Sequence, residues 1–334
     1  VTNIVLCYPV LERHVAWLQQ AAPHAKFINA GQEQIHEAIF DADIFVGHAK
    51  VRVDWDAVVR QKRLKFIQSS AAGLDHCLVP SVIDSAITVC SASGLFADQV
   101  AEQSLALLLG LLRGLPVFFR QSLDKAFVRQ PTGDLHAKRI GIVGLGGNGR
   151  RLAELLSSFR TSISAVDYFP VDKPHVVENL WGTEALHRLA AQSDILILAV
   201  PLNDTTRGFI DQSVFEAMPK GSYFINVARG SCVDETALIA ALESGHLAGA
   251  GVDVTDVEPL PAESRLWTLP NVIITPHVGA QAATRVDDST RLACENLSRY
   301  FRQEALLNVV DKQLGFPHPS VQAILHPEWK SRYR

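Results

Sequence analysis

Four side chains capable of acid–base and carboxylate chemistry stand late in the chain, three just past apolar runs and one in the loop that follows. Arg229 follows "SYFINVA", Asp253 follows "GAGV", Glu258 lies in the loop after it, and His277 follows "NVIITP". The β-branched run 272–274 suits a pleated strand. Pro276 has no N–H for a ladder, so it ends the strand and presents the next side chain at its tip. The residue types are complementary. A guanidinium is a planar fork that fits a carboxylate and polarises a neighbouring carbonyl. An imidazole can give a proton to a carbonyl oxygen or take one from a hydroxyl. A carboxylate beside that imidazole stabilises its charged form. Singly, each residue reads as a solvated charge or a loop residue. Together, Arg229, Glu258 and His277 form a catalytic set for reversible reduction of a 2-oxo acid.

Such a reduction needs a hydride carrier, and a second motif provides for one. "RIGIVGLGGNGRRLAELL" holds Gly144, Gly146 and Gly149 in G-x-G-x-x-G spacing, after an apolar run and at the start of a helical pattern, with Gly147 and Asn148 inside the turn. The first glycine permits the turn, the second lets the backbone approach a pyrophosphate, and the third lets the helix pack close to the strand. Free amides at the helix start then receive the phosphate charge. "SISAVDY" ends its apolar run at Asp167, an acid placed to accept from the adenosine ribose and to repel a 2′-phosphate. NAD is therefore expected over NADP. Asn148 occupies a position where an apolar residue is common.

The elements that must position these groups follow from periodicity. "NIVLCYP", "AKFINA", "DIFVGHA", "KFIQSSAAG" and "AITVCSA" read as strands, with helical patterns near 11–20, 33–39 and 54–61, which makes one small parallel α/β unit. From about Ala97 to Ala126 the pattern is continuously helical. A second α/β series then runs through "RIGIVGLG", "SISAVDY", "ILILAVP", "SYFINVARG", "LAGAGVDV" and "NVIITPH", the signature of a doubly wound sheet whose ligands lie outside the carboxyl ends of the strands. An amphipathic stretch follows from Ala282 to Gln303, then "ALLNVVD". The segment from Gly315 to Arg334, with Pro317, Pro319, Pro327 and Trp329, has no period and is expected to wrap a surface.

Composition narrows the partners. The chain has 334 residues, 48% hydrophobic and 20% charged, with a net charge of −4. That is a globular profile, long enough for two domains, without the basic surface that nucleic acid requires. The run "LALLLGLL" is interrupted by Arg113 well short of the roughly 20 residues of a membrane span. "VTNIVLCYPV" reads as a strand rather than a secretory signal. The five cysteines, scattered and without metal-ligand spacing, suit a reducing cytoplasm, and no metal is expected.

The motifs "GIVGLGGNG", "LAVPLNDTTRGFID", "FINVARGSCVDETALIAAL", "GAGVDVTDVEPLP" and "LWTLPNVIITPHVGA" resemble the D-isomer-specific 2-hydroxyacid dehydrogenases, and the resemblance extends from the first strand to "NVVDKQLG". It implies that Arg229 holds the substrate carboxylate and carbonyl, that Glu258 pairs with His277, and that His277 is the general acid/base. It implies cofactor contacts at Val200, Pro201, Thr206 and Ala228, and places Asp253 against the nicotinamide carboxamide. "SSAAGLDH" is similar to the family's substrate loop, so backbone amides near Ala72 and Gly73 would bind the carboxylate. The implied architecture is two Rossmann-like doubly wound domains: an NAD-binding domain at 97–297 inserted into a flavodoxin-like substrate domain made of 1–96 and 298–334. The helix from Ala101 is expected to contribute to a homodimer interface. Tyr8, His48, His76, Phe96 and Trp267 are candidates for the pocket that selects the substrate side chain, each equally readable as a plain core or loop residue. Two alternatives resemble the same layout: phosphoglycerate dehydrogenase-like enzymes, and NAD-sensing scaffolds of the C-terminal-binding corepressor type. Formate dehydrogenases carry glutamine where Glu258 stands.

Overall fold

The structure is a computed structural model that describes residues 1–322. Its residues form two compact units: 1–96 with the segment from Ala282 onward, and Ala97–Gln281.

In the first unit β1 (Asn3–Cys7), β2 (Lys26–Asn29), β3 (Ile44–Gly47), β4 (Phe66–Ser69) and β5 (Thr88–Cys90) form a parallel sheet in the order β2-β1-β3-β4-β5. The strands read as unbroken apolar runs because both faces are buried. Val5, Phe45, Ile67 and Val89 face a core with Ile35, Trp55 and Val58. Their neighbours Ile4, Leu6, Ile44, Val46 and Phe66 face a second core with Leu18, Ala293 and Leu297. That second core corrects the expected domain boundary at 298. The helix Arg285–Arg302 belongs wholly to this unit, because its apolar stripe closes one face of the sheet beside the helix Glu12–Ala21. A short antiparallel pair, β13 (Val310–Asp311) and β14 (Phe316–Pro317), follows. Of the expected surface-wrapping segment, a 3₁₀ turn at Pro319–Val321 brings the Val321 carbonyl to the Asn308 amide. Pro327 and Trp329 lie outside the described residues.

The second unit is a seven-stranded sheet built from β6 (Arg139–Val143), β7 (Ser162–Val166), β8 (Asn179–Trp181), β9 (Ile195–Leu198), β10 (Ser222–Asn226), β11 (Leu247–Val252) and β12 (Val272–Ile274). Its order is β12-β11-β10-β9-β6-β7-β8, with all pairs parallel. This is the doubly wound arrangement, with its switch point between β6 and β9. The edge strand β8 was not expected from sequence.

The helical stretch after Ala97 is two helices, Ala97–Leu112 and Leu115–Leu123, bent by 68°. Gly114 adopts φ +67 at the break, a conformation open to glycine, and Pro116 has no N–H with which to continue the first helix. No single helix among the described residues is long and apolar enough to cross a membrane. The first of the two helices lies close to β11, where a Cβ on Gly251 would stand 2.8 Å from that of Leu107.

Candidate active site

The three glycines of the loop differ in what surrounds them. Gly144 has φ +97, and a Cβ there would meet the Ala199 carbonyl oxygen at 2.8 Å. A Cβ on Gly149 would collide with the Gly144 carbonyl oxygen, so only glycine lets the helix Gly147–Ser157 start this close to β6. Gly146 faces open space: a Cβ there would find nothing within 4 Å, as a backbone approached by a phosphate requires. Asp167, directly after β7, accepts from Leu145 N–H at 2.6 Å and from Phe169 N–H at 2.8 Å. Burial pushes its carboxyl above the usual range, against the pull of those two amides and of the Arg150 charge. Val200 and Pro201 are half-buried just past β9. Thr206 braces their loop by donating to the Pro201 carbonyl at 2.7 Å, and Ala228 is buried after β10.

The acid–base residues stand at the carboxyl ends of three adjacent strands. Arg229 follows β10, Asp253 and Glu258 follow β11, and His277 follows β12. His277 Nδ1 lies 2.8 Å from Glu258 Oε2, and a carboxylate can only accept, so Nδ1 carries the proton and Nε2 is left for a ligand. Glu258 Oε1 accepts from Thr255 N–H at 3.2 Å. Burial alone would raise the Glu258 carboxyl. The His277 hydrogen bond and charge, the Thr255 amide and the Arg229 charge outweigh it and hold the group below its ordinary value. The side chains of His277 and Glu258 are 44% and 38% exposed.

His277 is held in an uncommon backbone conformation, with φ +52. Histidine tolerates this left-handed region better than bulkier residues, at a cost of about 1–3 kcal/mol. The anchor is Asp253. Its carbonyl accepts from His277 N–H at 2.8 Å. Its Oδ1 accepts from the Thr275 hydroxyl at 2.6 Å and from Val278 N–H at 3.0 Å, and its Oδ2 accepts from Gly279 N–H at 2.8 Å. The residue is 2% exposed. Expected to face the nicotinamide carboxamide, the Asp253 carboxylate is bonded to the 275–279 turn.

In the first unit Ala72 and Gly73 occupy the bend after β4, and neither amide donates to another group among the described residues. Ser69 Oγ supports the bend by accepting from Ala71 N–H at 3.1 Å. Of the expected specificity residues, His48 and His76 stack at 4.0 Å between ring centroids. Tyr8 is buried with its hydroxyl 3.1 Å from Thr290 Oγ1, and Phe96 lies under the Arg285 guanidinium. Trp267, in the second unit, is exposed and donates to the Pro261 carbonyl at 3.0 Å.

Residues 105–279 match the family described as D-isomer specific 2-hydroxyacid dehydrogenase, NAD binding domain. The chain belongs to that family. It is 29% identical over 316 residues to the D-3-phosphoglycerate dehydrogenase of Methanocaldococcus jannaschii, an alignment covering 92% of this chain but only 59% of that longer relative. It is 31% identical over 295 residues to the glyoxylate reductase of Thermofilum pendens, covering 85% of each. A D-isomer specific 2-hydroxyacid dehydrogenase from Xanthobacter autotrophicus Py2, solved in complex with NADPH and MES, superposes with a TM-score of 0.79 at 30% identity over 95% of this chain and all of that one.

This 2-hydroxyacid dehydrogenase is thus an oxidoreductase with an NAD(P) site, and the glycine cradle fits a dinucleotide on its own geometry: an open Gly146, helix-start amides and an acid at the next strand end. Three supporting residues escaped the sequence reading. Gln103 Nε2 donates to Thr275 Oγ1 at 2.8 Å, reaching the 275–279 turn because its helix packs so close to β11. Asn226 accepts from Ala228 N–H and donates to the Arg229 carbonyl, fixing the bend that presents Arg229. Gly230 sits so close to Thr255 that a Cβ would overlap its carbonyl group, which holds the Arg229 loop against the Glu258 loop. Among the described residues no three His, Cys, Asp or Glu side chains gather to hold a metal.

Proposed function

We propose that this dehydrogenase interconverts a small 2-oxo acid and its D-2-hydroxy acid, with NAD preferred over NADP. The observation that carries the reading is the His277–Glu258 pair, 2.8 Å apart, on the same sheet edge as the glycine cradle. When bound, the nicotinamide cofactor supplies or accepts the hydride. His277 gives the proton from Nε2 to the carbonyl oxygen in reduction and removes it from the hydroxyl in oxidation. Glu258 stabilises the imidazolium and fixes its tautomer. Arg229 binds the carboxylate and polarises the carbonyl. The NAD preference is supported by Asp167, an acid where a 2′-phosphate would lie.

A homodimer is proposed with it, supported by apolar side chains left on the surface of the second bent helix: Phe119 is 65% and Leu123 83% exposed. A cytoplasmic setting is supported by five free thiols, with burial pushing Cys7 up to about 11 and Cys294 to about 12. Nucleic acid and membrane are left out of the reading because of the net charge and composition.

The test is loss of NADH absorbance with glyoxylate, hydroxypyruvate, pyruvate, a branched 2-oxo acid, phenylpyruvate and phosphohydroxypyruvate, each repeated with NADPH. Turnover of at least one, faster with NADH, is expected. NADH binding without reduction of any would reject the enzymatic reading in favour of a sensing role.

A further inference from the structure

Arg150 lies outside the G-x-G-x-x-G pattern, in the first turn of the helix Gly147–Ser157, and its guanidinium is committed entirely to backbone. Nε donates to the Leu145 carbonyl at 3.0 Å, one terminal nitrogen to the Asp172 carbonyl at 2.5 Å, and the other to the Val171 carbonyl at 3.0 Å. Leu145 is the residue between the first two glycines of the cradle, and 171–172 belong to the loop after β7. The same Leu145 peptide is gripped from its other side, since its N–H donates to Asp167 at 2.6 Å. Asp167 also accepts from Phe169 N–H, at the start of that same loop. The cradle and the loop after β7 are thus tied together twice, once through an acid and once through a cation.

We propose that Arg150 is a positioning residue for the adenosine half of the cofactor: it holds the cradle and the 168–172 loop at the separation the ribose and adenine require, without touching either. The proposal rests on the cofactor reading of this site. A guanidinium suits the task because its rigid fork can meet three carbonyls in one geometry, whereas a lysine ammonium is a point donor on a flexible stem. Bonding to carbonyls from two segments fixes a gap, which a bond within one helix would not do. These carbonyls take three of the five guanidinium N–H groups and hold the fork in one orientation.

The test uses the full chain and three probes read by fluorescence titration or calorimetry: NADH, ADP-ribose as the adenosine half, and reduced nicotinamide mononucleotide as the other half. Arg150→Met is expected to weaken NADH and ADP-ribose alike by at least tenfold and to leave the mononucleotide within twofold of wild type. Arg150→Lys should show the same split to a smaller degree, with faster hydrogen exchange confined to the cradle and the 168–172 amides. Should the methionine variant fail to accumulate, the lysine variant carries the comparison. ADP-ribose binding unchanged in the variants overturns the proposal. So does equal weakening of both half-ligands with a fall in Tm, which marks a general structural role. A wild-type chain that binds neither NADH nor NADPH would instead overturn the cofactor reading, and the role of Arg150 with it.

Discussion

Replacing Glu258 by glutamine isolates the charge of the acid from its shape. A glutamine oxygen can still accept from His277 Nδ1, now held at 2.8 Å by the carboxylate, so the tautomer and ring orientation persist while the negative charge is lost. Coulomb's law for unit charges 4 Å apart gives about 4 kcal/mol at an effective dielectric of 20. The two side chains are 44% and 38% exposed, however, and exposed pairs measure only about 0.2–1 kcal/mol. Their hydrogen bond is charge-assisted, which argues for the upper end of that range or a little beyond, about 1–1.5 kcal/mol. Each 1.36 kcal/mol is tenfold in rate, so kcat for reduction should fall by about five- to thirteenfold. Glu258 sits below the usual carboxylate value, so the charge being removed is present at neutral pH. The assay is initial NADH oxidation at constant ionic strength, with the glutamine and alanine variants compared. A fall in that range is expected for glutamine, and a larger one for alanine, which also loses the hydrogen bond. A glutamine variant as fast as wild type would refute the electrostatic role.

Other perturbations test the remaining parts of the site. His277→Ala should lower kcat by about 10²–10⁴ while NADH titration gives a near wild-type Kd, since no cofactor contact is assigned to it. Gly230→Ala forces a methyl into the Thr255 backbone and should lower both Tm and activity, with Arg229 displaced; an unchanged Tm would show that the loops part freely. Asp253→Asn sets an amide donor against one of the N–H groups of the 275–279 turn, at about 1–3 kcal/mol, so Tm should drop by several degrees with kcat. If instead only the Kd for NADH rose, the carboxylate would be acting as a cofactor contact. A dimer mass in light scattering is expected for the wild type and a monomer mass for the variant with both Phe119→Asp and Leu123→Asp; a monomer mass for both would overturn the proposed homodimer.

Much of this was legible because parallel strands carry a strong local signal. Apolar runs such as "ILIL" and "NIVLC" are buried on both faces, and a strand followed by a polar residue marks the carboxyl edge. Arg229, Asp253, Glu258 and His277 could therefore be found one strand end at a time. β8 was missed because Asn-Leu-Trp is three residues long with no alternation and is defined by pairing with Ser164–Val166. The bend at Gly114 was hidden under continuous helical spacing. The boundary at Ala282 depended on which sheet the helix Arg285–Arg302 covers, and an amphipathic stripe does not name its partner. Gln103 was beyond reach for a different reason. Its bond spans 172 positions in the chain and exists because Gly251 lets a helix close on a strand. The same holds for Arg150, whose partners are carbonyls and leave no side-chain pattern.

The exposure of the His277–Glu258 pair sets how much its charge can contribute. At 44% and 38% exposure, water reaches both groups and screens them. A bound substrate and cofactor that cover the pair would remove that water, and the same 2.8 Å contact would then act through a lower dielectric. Stabilisation of the imidazolium that grows as the site is covered is the differential that catalysis uses. Removing the charge at Glu258 should accordingly lower kcat by more than the roughly fivefold that an exposed pair of about 1 kcal/mol gives. A smaller fall would mean that the pair remains wet in the complex, and that His277 gains nothing from being covered.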